Sequence, residues 1–236
     1  MSGTIVVVGV GPGIGASVCR RFAADGYNVA AACRKPESIA DLMATLGDRA
    51  RAYAVDAGQE ADVLGLFDAV EKDFGIPDVV VFNAGAFERA AVVDIAAEDF
   101  ERCWRVGCFG GFLVGRSAAR AMLRRADEVK GTIIFTSATA ANRGSANFVN
   151  LAMPKFGLKA VCQSMARELG PKGIHVCQVV VDGQVLSERY AHLADERGPD
   201  ALLDPDAIAE TYHHLTRQHR SAWTLDVDVR PWLEKF

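Results

Sequence analysis

No charge of one sign dominates this 236-residue chain: 26 Lys plus Arg stand against 30 Asp plus Glu, a net charge of −4. Nothing in that balance calls for a nucleic acid or an anionic membrane as partner, since both need a basic face. Prolines are few, 8 against 22 glycines, so tight turns are expected and Pro-rich linkers are not. No apolar run reaches the roughly 18–20 residues that cross a bilayer. The chain also does not open with the basic stretch, apolar run and small-residue site of a secretory signal, so a cytoplasmic location is expected. The six cysteines (Cys19, Cys33, Cys103, Cys108, Cys162, Cys177) are never spaced as C-x-x-C and read as buried, reduced thiols. His213 and His214 are neighbours, but no spaced Cys/His set supports a metal. What the chain does have is apolar content, 50 % of its residues. That excludes disorder and lets one α/β domain bury a sizeable core.

Short apolar runs alternate with helical patterns along the whole length. The runs are Ile5–Val8, Val29–Ala32, Ala52–Val55, Val79–Phe82, Thr132–Thr136, Val176–Val181 and Trp223–Val227. Several are continuously apolar, as parallel strands covered on both faces must be. Between them, Ile39, Leu42, Met43 and Leu46 share one helical face, as do Val63, Leu64, Phe67, Val70 and Phe74. Longer helices are predicted from about Ala97 to Arg125 and from Val149 to Leu169. This alternation predicts an α/β, doubly wound parallel sheet with helices on both faces, in a single domain over 1–236. Ligands of such a sheet bind where the loops leave the strands' carboxyl ends. The charged segment Leu186–Pro205 follows the sixth run and reads either as a substrate lid or as a pair of surface helices.

The strongest local signal is the run Val6-Val7-Val8-Gly9-Val10-Gly11-Pro12-Gly13-Ile14-Gly15. A strand enters a glycine-rich turn, and an amphipathic helix carrying Ile14, Val18 and Phe22 follows. Glycines let backbone approach a pyrophosphate, and a helix N terminus offers amides and a favourable dipole. With a strand before it and a helix after it, the motif reads as a phosphate cradle.

The spacing Gly9-x-x-x-Gly13-x-Gly15 resembles the glycine motif of the short-chain dehydrogenase/reductase family, and further landmarks follow in that family's order. Asp56, with Ala57 after it, ends the third run, and Asn83-Ala84-Gly85 ends the fourth. Ser137 ends the fifth, placed like the family's catalytic serine. Lys155 opens Lys155-Phe156-Gly157-Leu158 and leads into Ser164-Met165-Ala166-Arg167-Glu168-Leu169, which looks like the family's lysine helix. Asp182-Gly183-Gln184-Val185 stands where the family usually has Pro-Gly-x-Ile/Val. The resemblance spans roughly Ile5 to Ser187. It implies a seven-stranded sheet, a nicotinamide dinucleotide, a carbonyl or alcohol substrate, and a homo-oligomer (dimer or tetramer). It implies that Gly9, Gly11, Gly13, Ile14, Gly15, Asp56, Ala57, Asn83, Ala84, Gly85, Lys155, Val185 and Ser187 bind the dinucleotide.

The end of the second run bears on which dinucleotide. NAD sites usually place an acidic residue about 20 positions past the glycines, to hold the ribose 2′-hydroxyl. Here the chain reads Ala32-Cys33-Arg34-Lys35, with no carboxylate before Glu37. Arg34 can pair with a 2′-phosphate, so NADP(H) is expected over NAD(H).

Two catalytic positions depart from the family. Its tyrosine lies four residues before the lysine, and counting back from Lys155 lands on Leu151. Its helical asparagine is matched by Gly107, in Val106-Gly107-Cys108-Phe109-Gly110-Gly111-Phe112. Losing a general acid costs about 10²–10⁴-fold, so weakened activity can persist. Ser137 still has a hydroxyl to give an oxyanion, and Lys155 still has a charge. Two readings therefore stand. One is an oxidoreductase with an altered catalytic set built on Ser137 and Lys155. The other is a dinucleotide-binding sensor or inactive partner subunit that keeps both residues for cofactor binding and loop shape.

Several other residues are candidates for supporting roles. Tyr190 and His192 are candidate replacement donors if the 186–205 segment closes. Asn147 and Asn150 are candidate caps of the lysine helix, and Pro154 is a candidate bend in it. Apolar Leu151 and Met153 suggest a hydrophobic substrate pocket. The aromatic tail, Trp223 and Trp232 to Phe236, needs a surface to pack on, its own or a neighbour's.

Overall fold

The computed structural model describes residues 3–234, so the end of the aromatic tail, Lys235 and Phe236, lies outside the described residues. Seven strands form one parallel sheet in the order β3-β2-β1-β4-β5-β6-β7. They are β1 Thr4–Val8, β2 Asn28–Cys33, β3 Ala50–Ala54 and β4 Val79–Phe82. The second half adds β5 Gly131–Ala138, β6 Ile174–Val181 and β7 Asp226–Val229. The expected doubly wound α/β domain is what forms.

Helices cover both faces. On one face lie α1 Ile14–Ala24, α2 Ala40–Leu46 and α8 Pro205–Thr216, which bury Phe22, Ile208 and Tyr212 with Ile5, Val7 and Ile134 of the strands. On the other lie α3 Glu60–Phe74, α5 Gly110–Met122 and α6 Val149–Leu169, which bury Phe67, Leu113 and Leu158 with Val6, Phe82 and Phe135. Alternate strand residues thus serve opposite cores, which is why the runs are continuously apolar. All six cysteines are buried and free. Burial pushes the thiols of Cys19 and Cys162 up to about 12, so they stay protonated.

Strand register sets the height of each loop. Val8 pairs with Ala32 and with Phe82, and Phe82 pairs with Phe135. The ends of β1, β2 and β4 are therefore level, while β5 continues to Ala138. At about 3.3 Å per residue, Ser137 stands some 6–7 Å beyond that level. Strand order reverses between β1 and β4, the switch point where such sheets bind ligands.

Two sequence expectations shift. The seventh strand starts at Asp226, not Trp223, because Trp223 stacks on His175 with ring centroids 5.0 Å apart. This end of the tail packs on its own domain, while Trp232 is exposed. The predicted 97–125 helix is α4 Ala97–Trp104, a π-helical stretch over Arg105–Phe109, and then α5. His213 is buried, with its Nε2 2.6 Å from an Asp25 carboxylate oxygen. Among the described residues no helix is long and apolar enough to cross a membrane.

Candidate active site

The glycine turn divides into two kinds of position. Gly9 has φ +95°, and a Cβ there would meet the Ala84 amide nitrogen at 2.3 Å. At Gly15 a Cβ would meet the Val10 Cα at 2.8 Å. These two glycines are demanded by the protein's own packing. Gly11 and Gly13 are not: a Cβ at either meets no protein atom within 4 Å. The turn bares its backbone there, and α1, which begins just after it, has no side-chain cap. Uncapped amides beside a bare turn suit a diphosphate, so the residues present fit the phosphates of a dinucleotide.

Asn83 fastens the neighbouring loop to this turn. Its Nδ2 donates to the Gly9 carbonyl (2.9 Å), and its own amide donates to Val8 (2.7 Å). Ala84 backs Gly9 at van der Waals range, and Gly85 is exposed beyond it. Asp56 accepts from the Gly58 amide (2.9 Å), closing a turn at the end of β3, and Ala57 is buried in the core. Arg34 follows β2 and is exposed, with no carboxylate in ion-pair range among the described residues. Ile14 is partly buried against the core at the start of α1.

Ser137, in β5, and Lys155, on α6, are buried, and neither is among the residues that line the cleft described below. Ser137 is 2 % exposed, and its Oγ has no hydrogen-bond partner. A buried hydroxyl left unpaired costs about 1–3 kcal/mol, a cost that an acceptor brought by a ligand would remove. Lys155, on α6, donates from Nζ to the Thr136 carbonyl (2.6 Å), one residue before Ser137. Burial moves its pKa down from 10.5 to about 8. Between those values the unfolded chain holds a proton that the folded chain has released, so stability rises with pH across that window. Below pH 8 the cost of burying the charge is present in full. Substituting Lys155→Met is expected to remove it. The variant's stability advantage over the parent should shrink by about 3 kcal/mol between pH 7 and pH 10.5. Urea unfolding of both proteins, without nucleotide, measures this. A difference that stays constant with pH would mean the ammonium is hydrated.

Leu151 is one helical turn before Lys155 and faces the cleft described below. Asn147 and Asn150 do not cap α6. Asn147 turns the chain at φ +66°, and Phe148 takes the cap position without a side-chain bond. Asn150 is buried and donates to the Glu88 carbonyl (3.2 Å), tying α6 to the loop after β4. Pro154 is the sixth residue of α6, past the first turn, yet the helix continues to Leu169. Its ring fills the space beside Gly107: a Cβ at 107 would stand 3.0 Å from the Pro154 Cβ. Gly107 lies in the π-helical stretch, a geometry frequent at functional sites. The two unusual residues thus pack closely, and a side chain at 107 would crowd the proline, which would have to give by a few tenths of an ångström.

A cleft of about 600 Å³ opens along the carboxyl edge of β5 and β6. Its floor includes Ala138, Thr139, Val181 and Leu151, and its rim includes Phe87, Arg89, Arg143 and Phe148. The expected hydrophobic pocket is therefore mixed, and Met153 is not among its lining residues. Sequence reading passed over the rim residues. The signal available was their place in the loops after β4 and β5. Beyond β6, Leu203 donates to the Gln184 carbonyl (2.9 Å) and Leu186 donates to the Leu203 carbonyl (2.8 Å). These bonds close the 186–205 segment, which carries α7 Ala191–Arg197, into a loop with joined ends. Val185 pairs with Leu203, and the Ser187 carbonyl accepts from Tyr190. Tyr190 lines the cleft, whereas His192 is not among the lining residues.

A doubly wound parallel sheet with an open glycine turn at its switch point defines a Rossmann-type domain. The sequence profile for short chain dehydrogenase matches residues 3–198, and the chain belongs to that family of oxidoreductases. It is 30% identical over 217 residues to sorbitol-6-phosphate 2-dehydrogenase of Escherichia coli (strain K12), covering 90% of this chain and 83% of that one. It is 31% identical over 197 residues to the 3-oxoacyl acyl-carrier-protein reductase MabA of Mycobacterium tuberculosis, covering 84% and 74%. Among solved structures, a short-chain dehydrogenase from Rhodopseudomonas palustris superposes with a TM-score of 0.85 at 36% identity, covering 98% of this chain and 99% of that one.

Proposed function

We propose that this protein is an NADP(H)-preferring oxidoreductase that interconverts a carbonyl and an alcohol with an altered catalytic set. The observation that carries the proposal is the glycine turn, whose Gly11 and Gly13 face open space while Gly9 and Gly15 are packed. The nicotinamide, when bound, supplies or takes the hydride. Gly9 to Gly15 hold the diphosphate, with Asn83, Ala84 and Gly85 bracing the turn. Asp56 and Ala57 border the adenine, and Arg34 pairs with the 2′-phosphate. Val185 and Ser187 orient the carboxamide, and the 186–205 segment covers the cleft as a lid.

The chemistry falls to Ser137 and Lys155. Reduction of C=O to CH–OH takes one hydride and one proton, and negative charge builds on the oxygen between them. The orphaned Ser137 Oγ donates to that oxygen. Lys155 binds the nicotinamide ribose, adds positive charge and passes the proton through water. Leu151 occupies the place of the family's tyrosine and Gly107 that of its asparagine, so turnover is slow. The second reading, a sensor or inactive partner subunit, is favoured by one fact: Leu151 has no proton to give. The protein is proposed to be cytoplasmic and homo-oligomeric.

NADPH fluorescence and thermal-shift titration test the cofactor, because a ligand that binds only the native state raises its stability. A carbonyl panel then separates the readings: turnover lost in Ser137→Ala and Lys155→Ala supports the enzyme, and none on any carbonyl supports the sensor. Arg34→Asp is expected to weaken NADPH roughly 10- to 100-fold while NADH holds or gains, since a charge-assisted phosphate contact is worth about 1.5–3 kcal/mol. An unchanged ratio of the two affinities would leave Arg34 a solvated side chain.

A further inference from the structure

The rim of the cleft carries two guanidinium groups, Arg89 and Arg143, and its lining residues include no carboxylate. Neither arginine has a carboxylate in ion-pair range among the described residues. Other arginines are paired: Arg102 with Glu88, Arg105 with Glu101 and Arg116 with Glu60. Two acids that adjoin lining residues in the chain are already committed, while the Glu234 carboxylate stands 3.5 Å from the Cβ position of the lining residue Gly183. Glu88, beside Arg89 in the chain, is 2.7 Å from Arg102. Asp182, beside the lining residue Gly183, accepts from Thr139 and stands 3.7 Å from Arg230. In a protein of net charge −4, the side of the cleft mouth that carries Arg89 and Arg143 thus holds positive charge with no paired carboxylate among the described residues. The Arg89 guanidinium is held 5.3 Å from the Phe148 ring centroid, and that ring stacks on Phe87 at 5.2 Å. A guanidinium resting on a ring keeps its edge donors free for an oxyanion.

We infer that the substrate bears an anionic group, a carboxylate or a phosphate, which Arg89 and Arg143 bind while its apolar part lies against Phe87, Phe148 and Leu151. This rests on the oxidoreductase reading of the same cleft and narrows its substrate class. An oxyanion at the rim is the ligand that two unpaired guanidinium groups recognise, bidentately where geometry allows. Anchoring there leaves the carbonyl to reach inward toward Ser137.

Two matched pairs test it with NADPH present: phenylpyruvate against its methyl ester, and dihydroxyacetone phosphate against dihydroxyacetone. The anionic member of at least one pair is expected to have the higher kcat/KM, by roughly 10- to 100-fold. The pair that shows the preference identifies carboxylate or phosphate. Arg89→Gln and Arg143→Gln should each collapse that ratio, Arg89→Lys should keep part of it, and Arg120→Gln on exposed α5 surface should leave it alone. Equal use of charged and neutral members, or a ratio that survives both Gln variants, overturns the inference and leaves the oxidoreductase reading intact. If nothing is turned over, melting of the NADPH complex decides. A shift given only by the anions and lost in the Gln variants supports anion recognition while the oxidoreductase reading falls. A shift without preference, or none, overturns the anion site.

Discussion

Leu151→Tyr should raise NADPH-dependent carbonyl reduction by about 10²–10⁴-fold, the usual contribution of a positioned general acid. Leu151 already faces the cleft, one turn from Lys155 on α6. Residues at i and i+4 of a helix have Cβ atoms about 5–6 Å apart, so a phenol at 151 would lie within reach of the Lys155 ammonium. That charge would lower the phenol's pKa and ready its proton for the developing alkoxide. Ser137, with its hydroxyl unpaired, waits to share the same oxygen. Leu151→Phe is the control: it adds the ring without the proton and should not raise the rate. If the Tyr variant binds NADPH normally yet reduces carbonyls no faster than the Phe variant, position 151 does not face the reacting oxygen. The proline at 154 gives a definite way for that to happen. It withholds the amide that would donate to the Asn150 carbonyl, and local unwinding would rotate 151 away from the cleft.

The glycine turn should give opposite answers at adjacent glycines. Gly9→Ala is expected to destabilise the fold by more than about 2 kcal/mol, because alanine is strained at a positive φ and its Cβ has backbone to displace. The Ala84 nitrogen and Cα stand 2.3 and 2.5 Å from where that Cβ would be. Relief would mean moving the end of β4 away from β1, breaking the bond from Asn83 to the Gly9 carbonyl. Gly11→Val should cost the nucleotide-free protein at most about 1 kcal/mol, since surface changes away from strain are usually small. Its branched side chain would stand in the open space before α1, and NADPH affinity should fall by about 100-fold or more, as loss of a close backbone approach implies. Thermal unfolding without nucleotide and NADPH titration together separate the two effects. Tight NADPH binding by Gly11→Val would place the diphosphate elsewhere and overturn the role of the glycine turn as its cradle.

Much of this site was legible because its landmarks obey short-range rules. The glycine turn is recognisable from the strand before it and the helix after it. Leu151 follows from counting back along a helix whose lysine is unmistakable, and the lack of an acid after β2 is read directly. The rest depended on residues far apart in the chain. Gly107 and Pro154 look like unrelated oddities until the π-helical stretch is seen pressed against α6. Asn150 reads as a cap because a polar residue near a helix start usually is one. Its true partner, the Glu88 carbonyl, lies on another loop. The seventh strand was misplaced by three residues because an edge strand alternates polar and apolar positions, leaving Trp223 outside it.

Sequence by itself determined the parallel sheet, the family and the glycine turn, because hydrophobic period and motif spacing are properties of neighbours along the chain. Only the tertiary structure decided which glycines are packed and which are open, that Ser137 is buried without a partner, and that two unpaired arginines meet across one cleft. Each of those facts is set by what stands within a few ångströms in space. Strand register and loop packing choose those neighbours, and the order of residues does not reveal them.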